Sequence, residues 1–332
     1  MENLEKAIAE IKTQMPGLRL LENEPMSAHC SFRIGGPVRA LAVPASVSSL
    51  TKICAILKEH KQAPMLLGNG TNLLFPDEGL SELFIISTEK LTKLFLLPDG
   101  AIYAEAGVSL AKLASFAQQN GLKGLEFASG IPGSLGGGCI MNAGAYGGEL
   151  KDAIESVVCY YLPEQRLYEL SNEQCRFGYR SSLFQTMGGC AILSAVLRLE
   201  KGDSEEIAAK MRDLNERRRE KQPLDLPSAG SAFKRPEGQY AAALIEQAGL
   251  KGYAIGGAQV SEKHAGFVVN TGGATSHDVY ELLLHIRKTV YETSGAKLEP
   301  EMIILPPDYK LEDNGPRAPR HILTGEGVDG EE

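Results

Sequence analysis

The glycine-rich stretch from Gly124 to Gly148 constrains this chain more than any other feature. Its centre reads Gly130-Ile-Pro-Gly-Ser-Leu-Gly-Gly-Gly138, and an earlier loop, Gly68-Asn-Gly-Thr-Asn72, follows directly on the apolar run Pro64-Met-Leu-Leu67. That run predicts a short buried strand. Glycine takes positive φ without steric penalty and lets the backbone approach a ligand, so successive N–H groups can converge on phosphate oxygens. Neither loop ends in the Gly-Lys-Ser/Thr of ATP- and GTP-using proteins. Neither is the Rossmann fingerprint, since Leu73 stands where the third glycine belongs and no acidic residue closes a βαβ unit. One such loop could equally be a tight turn. Two of this density favour a bound dinucleotide.

The rest of the sequence narrows the setting. A chain of 332 residues exceeds what one hydrophobic core usually serves, so two or three domains are expected. With 43% hydrophobic and 23% charged residues it has a globular composition. A formal charge of −8 argues against a general nucleic-acid binder and leaves anionic ligands to local Lys and Arg clusters. The six cysteines (Cys30, Cys54, Cys139, Cys159, Cys175, Cys190) form no Cys-x-x-Cys pair, and the histidines are scattered, so no metal is implied. No apolar run is long enough to span a membrane and the amino-terminal stretch is charged, which points to a reduced, cytoplasmic setting.

Periodicity supplies the elements. Leu4, Ile8, Ile11 and Met15 mark an amphipathic helix, as do Val47, Leu50, Ile53 and Leu57. Strands are expected at Leu83–Ile86, Ala101–Glu105, Ser156–Tyr160, Arg166–Leu170 and Ala191–Leu199. Ser109 is placed to cap a helix carrying Leu110, Leu113 and Phe116, and Gly121 to end it. A long charged helix carries Ile207, Met211 and Leu214, with Arg217, Arg218 and Arg219 near its end where cations suit the helix dipole. Beyond it, helices near Tyr240–Ala248 and Asp278–Glu292 alternate with strands near Ala265–Val269 and Met302–Leu305. Thr275 and Asp278 predict a capping box. The fold class is α+β. We divide it into a lead-in (1–27), a two-lobed first domain (28–201), a smaller α+β domain (202–306) and a disordered tail (307–332).

The two loops, with Met141-Asn-Ala-Gly-Ala-Tyr-Gly147, resemble the FAD-binding motifs of the UDP-N-acetylenolpyruvoylglucosamine reductase family. Those enzymes are flavoproteins of the vanillyl-alcohol oxidase superfamily. The similarity continues through Phe177-Gly-Tyr-Arg-Ser-Ser182, Ala229-Gly-Ser-Ala-Phe-Lys234, Gly256-Gly-Ala-Gln-Val-Ser261, His264-Ala-Gly-Phe-Val-Val-Asn270 and Leu298-Glu-Pro-Glu301. It covers about residues 20 to 305 in order. Cys30 stands where the family usually has Thr, and Thr71 where Ser is common. The short gap between Tyr179 and Ser231 matches the family branch lacking an extra tyrosine-bearing substrate loop.

The resemblance implies noncovalent FAD, NADPH, and reduction of a nucleotide sugar, UDP-N-acetylglucosamine enolpyruvate, to UDP-N-acetylmuramate for peptidoglycan. No nucleic acid, membrane or obligatory oligomer is implied. FAD would lie on Gly68, Asn69, Gly70, Thr71 and Asn72, on Gly130, Ile131, Pro132, Gly133, Ser134, Gly136 and Gly137, and on Asn142, Ala143, Gly144, Ala145 and Tyr146. Arg180 and Glu301 would face the charge that develops on the substrate, Arg180 through its permanent charge and planar fork. A buried, protonated Glu301 would donate a hydrogen bond rather than repel. Ser231 would deliver the proton to carbon. Tyr179, Lys221, Lys234, Arg235 and His264 would contact the substrate. Two competitors stay open: a flavin oxidase of another hydroxylated substrate, and a nucleotide-binding protein without catalysis.

Overall fold

The computed structural model describes residues 2–309. The helices α1 (Glu2–Gln14) and α2 (Val47–Glu59) lie on one face of a four-stranded sheet ordered Arg19–Pro25, Pro37–Val43, Leu80–Ser87, Pro64–Leu67. The first pair is antiparallel and the other two are parallel. Successive side chains of a strand point to opposite faces. Phe84 and Ile86 therefore meet Leu4, Ile8 and Ile11 with Leu50, Ile53 and Leu57. Leu83 and Ile85 meet Met26, Leu41 and Phe75 on the other face.

A second lobe is built on a five-stranded antiparallel sheet ordered Arg166–Ser171, Ile154–Tyr161, Cys190–Leu197, Ile102–Glu105, Leu94–Leu96. The helices α3 (Leu110–Gln119), α4 (Leu135–Met141) and α5 (Leu183–Met187) carry Leu113, Leu135, Cys139 and Phe184 into its core. The remaining part follows α6 (Ser204–Lys221). Its four strands, Ser228–Ser231, Phe267–Asn270, Ala258–Val260 and Ala254–Ile255, are backed by α7 (Ala241–Gln247) and α8 (Ser276–Ser294). Cys30, Phe32, Ile34 and Leu74 from the first lobe pack into this last core. A two-lobed α+β part followed by a smaller α+β unit is the architecture expected.

Local signals are realised where they were specific. Ser109 accepts from the Lys112 backbone N–H at 3.2 Å and Gly121 takes φ +64° just past α3. Both halves of the Thr275–Asp278 capping box are made at the start of α8. Two features differ from the sequence reading. The strands Arg19–Pro25 and Pro37–Val43 carried no expected period, and Leu135–Met141 is helical although three consecutive glycines lie within it. Tyr309 packs against the first-lobe core, and the expected disorder from residue 310 onward lies outside the described residues. Among the described residues no helix is long and apolar enough to cross a membrane.

Thr275→Ala should lower the stability of the folded protein by about 1 kcal/mol, the usual loss on removing an N-cap side chain. Urea unfolding followed by circular dichroism checks this. A midpoint equal to that of the unchanged protein would show that α8 is held by its packed face alone.

Candidate active site

Three glycine-bearing loops come together between the lobes. Gly68 ends the strand Pro64–Leu67, and a Cβ added there would sit 2.3 Å from Ser134 Oγ. Gly70 takes φ +60° and packs so tightly that a Cβ would lie 2.3 Å from the His29 carbonyl oxygen. Thr71 Oγ1 donates to the Pro132 carbonyl at 3.1 Å, tying the first loop to the second. The second loop is fixed from behind: Leu110 N–H donates to Gly133 O, Leu135 N–H to Val108 O and Gly136 N–H to Ala106 O. Gly136 has to be glycine because a Cβ would meet that of Ala106 at 2.9 Å.

Ser134 stands at the start of α4, yet its hydroxyl makes no cap bond. It is 1% exposed, and among the described residues its Oγ has no hydrogen-bond partner. An unpartnered buried hydroxyl costs stability, about 1–3 kcal/mol in typical cases. Its position against Gly68 suits an oxygen of a bound diphosphate. Beside it, a cleft of about 350 Å³ is lined by His29, Cys30, Gly68, Asn69 and Glu89 among others. A larger depression of about 610 Å³, between α2 and the Tyr160–Leu167 hairpin, lies apart from these loops and holds none of the expected site residues.

The third loop carries non-glycine residues in the left-handed region, Asn142 at φ +42° and Tyr146 at +53°. The Asn142 side chain is fully buried. Its Nδ2 donates to Gly178 O at 2.9 Å and its Oδ1 accepts from Lys151 N–H at 3.0 Å. Asn142 thereby anchors the turn that presents Arg180, which itself holds φ +51° between paired Gly178 and Ser181. Such a conformation costs a non-glycine residue roughly 1–2 kcal/mol and occurs where surrounding contacts demand it.

Those contacts are explicit. Arg180 Nε donates to Glu301 Oε1 at 2.6 Å and Arg180 Nη2 to Gly144 O at 2.9 Å, with the two side chains only 19% and 14% exposed. Asn72 Nδ2 donates to the Glu301 carbonyl at 3.2 Å, and Ile303–Ile304 pairs in parallel with Leu73–Leu74. Glu301 N–H donates to Ala232 O at 2.9 Å and Lys234 N–H to Glu299 O at 2.9 Å, which sets Ser231 one residue from the partner of Glu301. Gly230, at φ +80°, bends the chain into that position.

Burial raises the Glu301 carboxyl above its ordinary value of 4.5, although Arg180 and, more weakly, Arg235 and Lys234 pull it down. The short contact with Arg180 and the raised value point in opposite directions. With only a small part of this side chain exposed, burial prevails in the free protein.

The other expected contacts spread outward from this centre. Tyr179 OH accepts from Arg235 N–H at 3.2 Å, and its ring lies 5.2 Å from the Arg180 guanidinium carbon. Arg235 lies over Tyr240, and Lys234 pairs with Glu299 at 3.6 Å. His264 stacks edge-on against Phe267, whose backbone faces Ser231 in register. Burial lowers its pKa, and Nδ1 accepts from Gly266 N–H, so the proton of the neutral ring is assigned to Nε2. Lys221 is exposed at the end of α6, and among the described residues it makes no hydrogen bond to this cluster.

Residues 38–162 match the family described as FAD binding domain, and residues 222–305 match the UDP-N-acetylenolpyruvoylglucosamine reductase C-terminal domain. The UDP-N-acetylenolpyruvoylglucosamine reductase of Caldanaerobacter subterraneus is 50% identical over 290 residues, covering 86% of this chain and 94% of that protein. The chain belongs to the UDP-N-acetylenolpyruvoylglucosamine reductase family. The member from Clostridioides difficile is 46% identical over 286 residues, covering 86% of this chain and 93% of its own. The crystal structure of UDP-N-acetylenolpyruvylglucosamine reductase from Thermus caldophilus superposes with a TM-score of 0.72 at 32% identity, covering 87% of this chain and 99% of that one.

For a member of this reductase family, the residue that sequence reasoning passed over is Arg218. Its place among three consecutive arginines reads only as positive charge suiting the helix dipole. In the structure it turns inward, and its Nη1 lies 3.1 Å from where a Cβ on Gly130 would be. Only the packing of α6 on that loop reveals it.

Ser134→Ala should leave the stability of the FAD-free protein unchanged or slightly higher, because it removes an unpartnered buried hydroxyl. FAD affinity should fall about tenfold, roughly 1.4 kcal/mol. Thermal melts of the stripped protein and titration with FAD separate the two effects. Unchanged affinity would place the cofactor's diphosphate elsewhere.

Proposed function

We infer that this chain is an FAD-dependent oxidoreductase that reduces UDP-N-acetylglucosamine enolpyruvate to UDP-N-acetylmuramate with NADPH, in peptidoglycan precursor synthesis. The observation that carries the reading is Arg180 held between the third flavin loop and Glu301, with Ser231 on the strand that pairs alongside. Bound FAD supplies the two-electron relay between NADPH and the enolpyruvyl group. Gly68–Asn72, Gly130–Gly137 and Asn142–Tyr146 hold it, with Ser134 Oγ as a ready donor. The attachment is noncovalent, consistent with Cys139, where burial pushes the thiol pKa up and suppresses the nucleophilic thiolate. We read 28–201 as the flavin domain and 202–306 as the substrate domain, with the site between them, and a cytoplasmic location.

Reduction at the β-carbon of the substrate builds negative charge on the α-carbon and its carboxylate, and the site is arranged to meet that charge. Arg180 offers a permanent cation whose planar fork matches a carboxylate. When the substrate's carboxylate enters, it competes with Glu301 for that fork. Glu301 then loses a cationic neighbour and gains an anionic one, and both changes raise its pKa further. A protonated Glu301 donates a hydrogen bond to the developing charge instead of repelling it. Ser231 Oγ delivers the proton to the α-carbon, on a strand whose neighbours Lys234 and Arg235 keep the region positive. Tyr179, Arg235 and His264 line the approach for the nucleotide, and Lys221, exposed at the end of α6, offers a further cation for its diphosphate.

Stopped-flow absorbance separates the two halves of turnover. Ser231→Ala should leave reduction by NADPH nearly intact and slow reoxidation by the enolpyruvyl substrate by on the order of 10²- to 10⁴-fold, the usual worth of a positioned acid. The reverse pattern would remove Ser231 from its role. Arg180→Lys should impair the same half-reaction, because one ammonium cannot reproduce contacts to Gly144 and a carboxylate together.

The pH dependence follows from the raised Glu301. A carboxyl with a raised pKa is protonated to higher pH than usual. Reoxidation should therefore be fastest below that raised value and fall as pH rises through it. Glu301→Gln keeps a donor that does not titrate, so its slower rate should lose that alkaline fall. A rate that rises with pH through the same window would show that the ionised form is the active one.

A further inference from the structure

The outer side of α8 carries a second pattern that the core does not use. Val279, Leu282, Leu283, Ile286 and Val290 are the buried residues that hold this helix to the last core. His277, Tyr280, Leu284, Arg287 and Tyr291 follow a different spacing, alternately three and four residues apart, and each of them is exposed. Tyr280 is 46% exposed, Leu284 38% and Tyr291 53%. At 3.6 residues per turn they form one stripe, about a third of a turn around the helix from the buried face. Alternating spacings of three and four make the seam along which one helix packs on another. Tyrosine and arginine are also the residues that interfaces favour, whereas solvated helix faces run to Lys and Glu.

The charges beside the stripe say which partner it fits. Glu281 follows Tyr280 and Lys288 follows Arg287, so both lie along the same edge of the seam. Among the described residues Glu281 makes no ion pair, and Lys288 reaches only Glu292, at 4.0 Å with both side chains exposed. A second α8 laid in the opposite direction, with its Arg287 facing Leu284, brings its Tyr291 opposite Tyr280. Each Arg287 then lies over the Leu284 of the other copy, with a tyrosine layer on either side. On the edge, Glu281 comes alongside Lys288 of the second copy. A twofold axis repeats each contact, so the face is complementary to itself in shape order and in charge. A parallel pair would instead set Arg287 against Arg287. Because the stripe lies well around from the core side, the buried faces of the two helices lean away from the contact.

We propose that this face of α8 pairs the chain with a second copy of itself, antiparallel and twofold symmetric. A contact made by one helix from each copy is small beside a standard interface. The pairing is therefore weak, roughly micromolar, and not a condition of folding.

Sedimentation velocity of the purified full-length protein tests this between about 1 µM and about 500 µM, a span that brackets weak association. The unchanged chain should pass from monomer to dimer. Leu284→Arg sets two cations together at the centre and should weaken the dimer at least about tenfold. Glu281→Lys and Lys288→Glu, each alone, place like charges on the edge and should weaken it about tenfold. An equimolar mixture of those two variants restores opposite charges on both edges, so it should associate nearly as well as the unchanged chain. These positions are solvent-facing, and circular dichroism confirms that each variant is folded; if Leu284→Arg is not, the mixture decides. A monomer throughout the range overturns the proposal, and is the result expected if residues 310–332 or an unrelated protein occupy the stripe. A dimer indifferent to the substitutions, or a mixture no better than its separate components, overturns it as well.

Discussion

The Arg180 guanidinium, shared between the Gly144 carbonyl and Glu301, is the contact on which the site depends. It joins three parts of the chain far apart in sequence: the third flavin loop, the Gly178–Ser181 turn and the strand ending that carries Glu301. Each part is fixed independently. Asn142 holds the turn, Asn72 and the pairing of Leu73–Leu74 with Ile303–Ile304 hold Glu301, and Ala232 receives its N–H. The left-handed backbone at Arg180 and the desolvation of Glu301 are tolerated because these neighbours leave no alternative. The cation we propose as catalytic is thus positioned by a loop we propose to cradle the cofactor, so folding of one would also align the other.

That arrangement also explains why the first lobe and the last core are inseparable. Cys30, Phe32 and Ile34 pack among Ala229, Phe233 and Val268, and Ser31 Oγ donates to Ser228 O at 2.6 Å. The strand bearing Ser231 is therefore referenced to the segment whose Ser31 N–H donates to Gly70 O, in the first glycine loop, at 3.1 Å. Substrate-side and cofactor-side residues share one rigid frame, which suits a reaction that needs near-contact geometry.

Much of this was legible in the sequence, for identifiable reasons. Helical period, the Ser109 cap and the Thr275–Asp278 box are local signals, and local signals survive folding. The strand Arg19–Pro25 escaped notice because it is an edge strand whose Glu22 and Glu24 turn to Arg39 and His29, leaving no apolar alternation. The neighbouring Pro37–Val43 is covered on both faces, so apart from Arg39 its residues are apolar and show no alternating period. Leu135–Met141 defies helix propensity because tertiary packing requires its glycines: Gly136 against Ala106 and Gly138 against Leu150. At the site, Arg180, Ser231 and Glu301 were reached through the resemblance of short motifs, and the structure brings them onto adjoining segments. Arg218 was not reachable, since a cation at a helix end is ordinarily a solvated one.

The most direct measurement is NADPH oxidation by the purified, FAD-loaded protein with and without UDP-N-acetylglucosamine enolpyruvate. The account predicts slow oxidation alone, a large acceleration by the enolpyruvyl sugar, and one UDP-N-acetylmuramate formed for each NADPH consumed. Oxidation that is indifferent to the enolpyruvyl sugar, with oxygen as the sole acceptor, would contradict it.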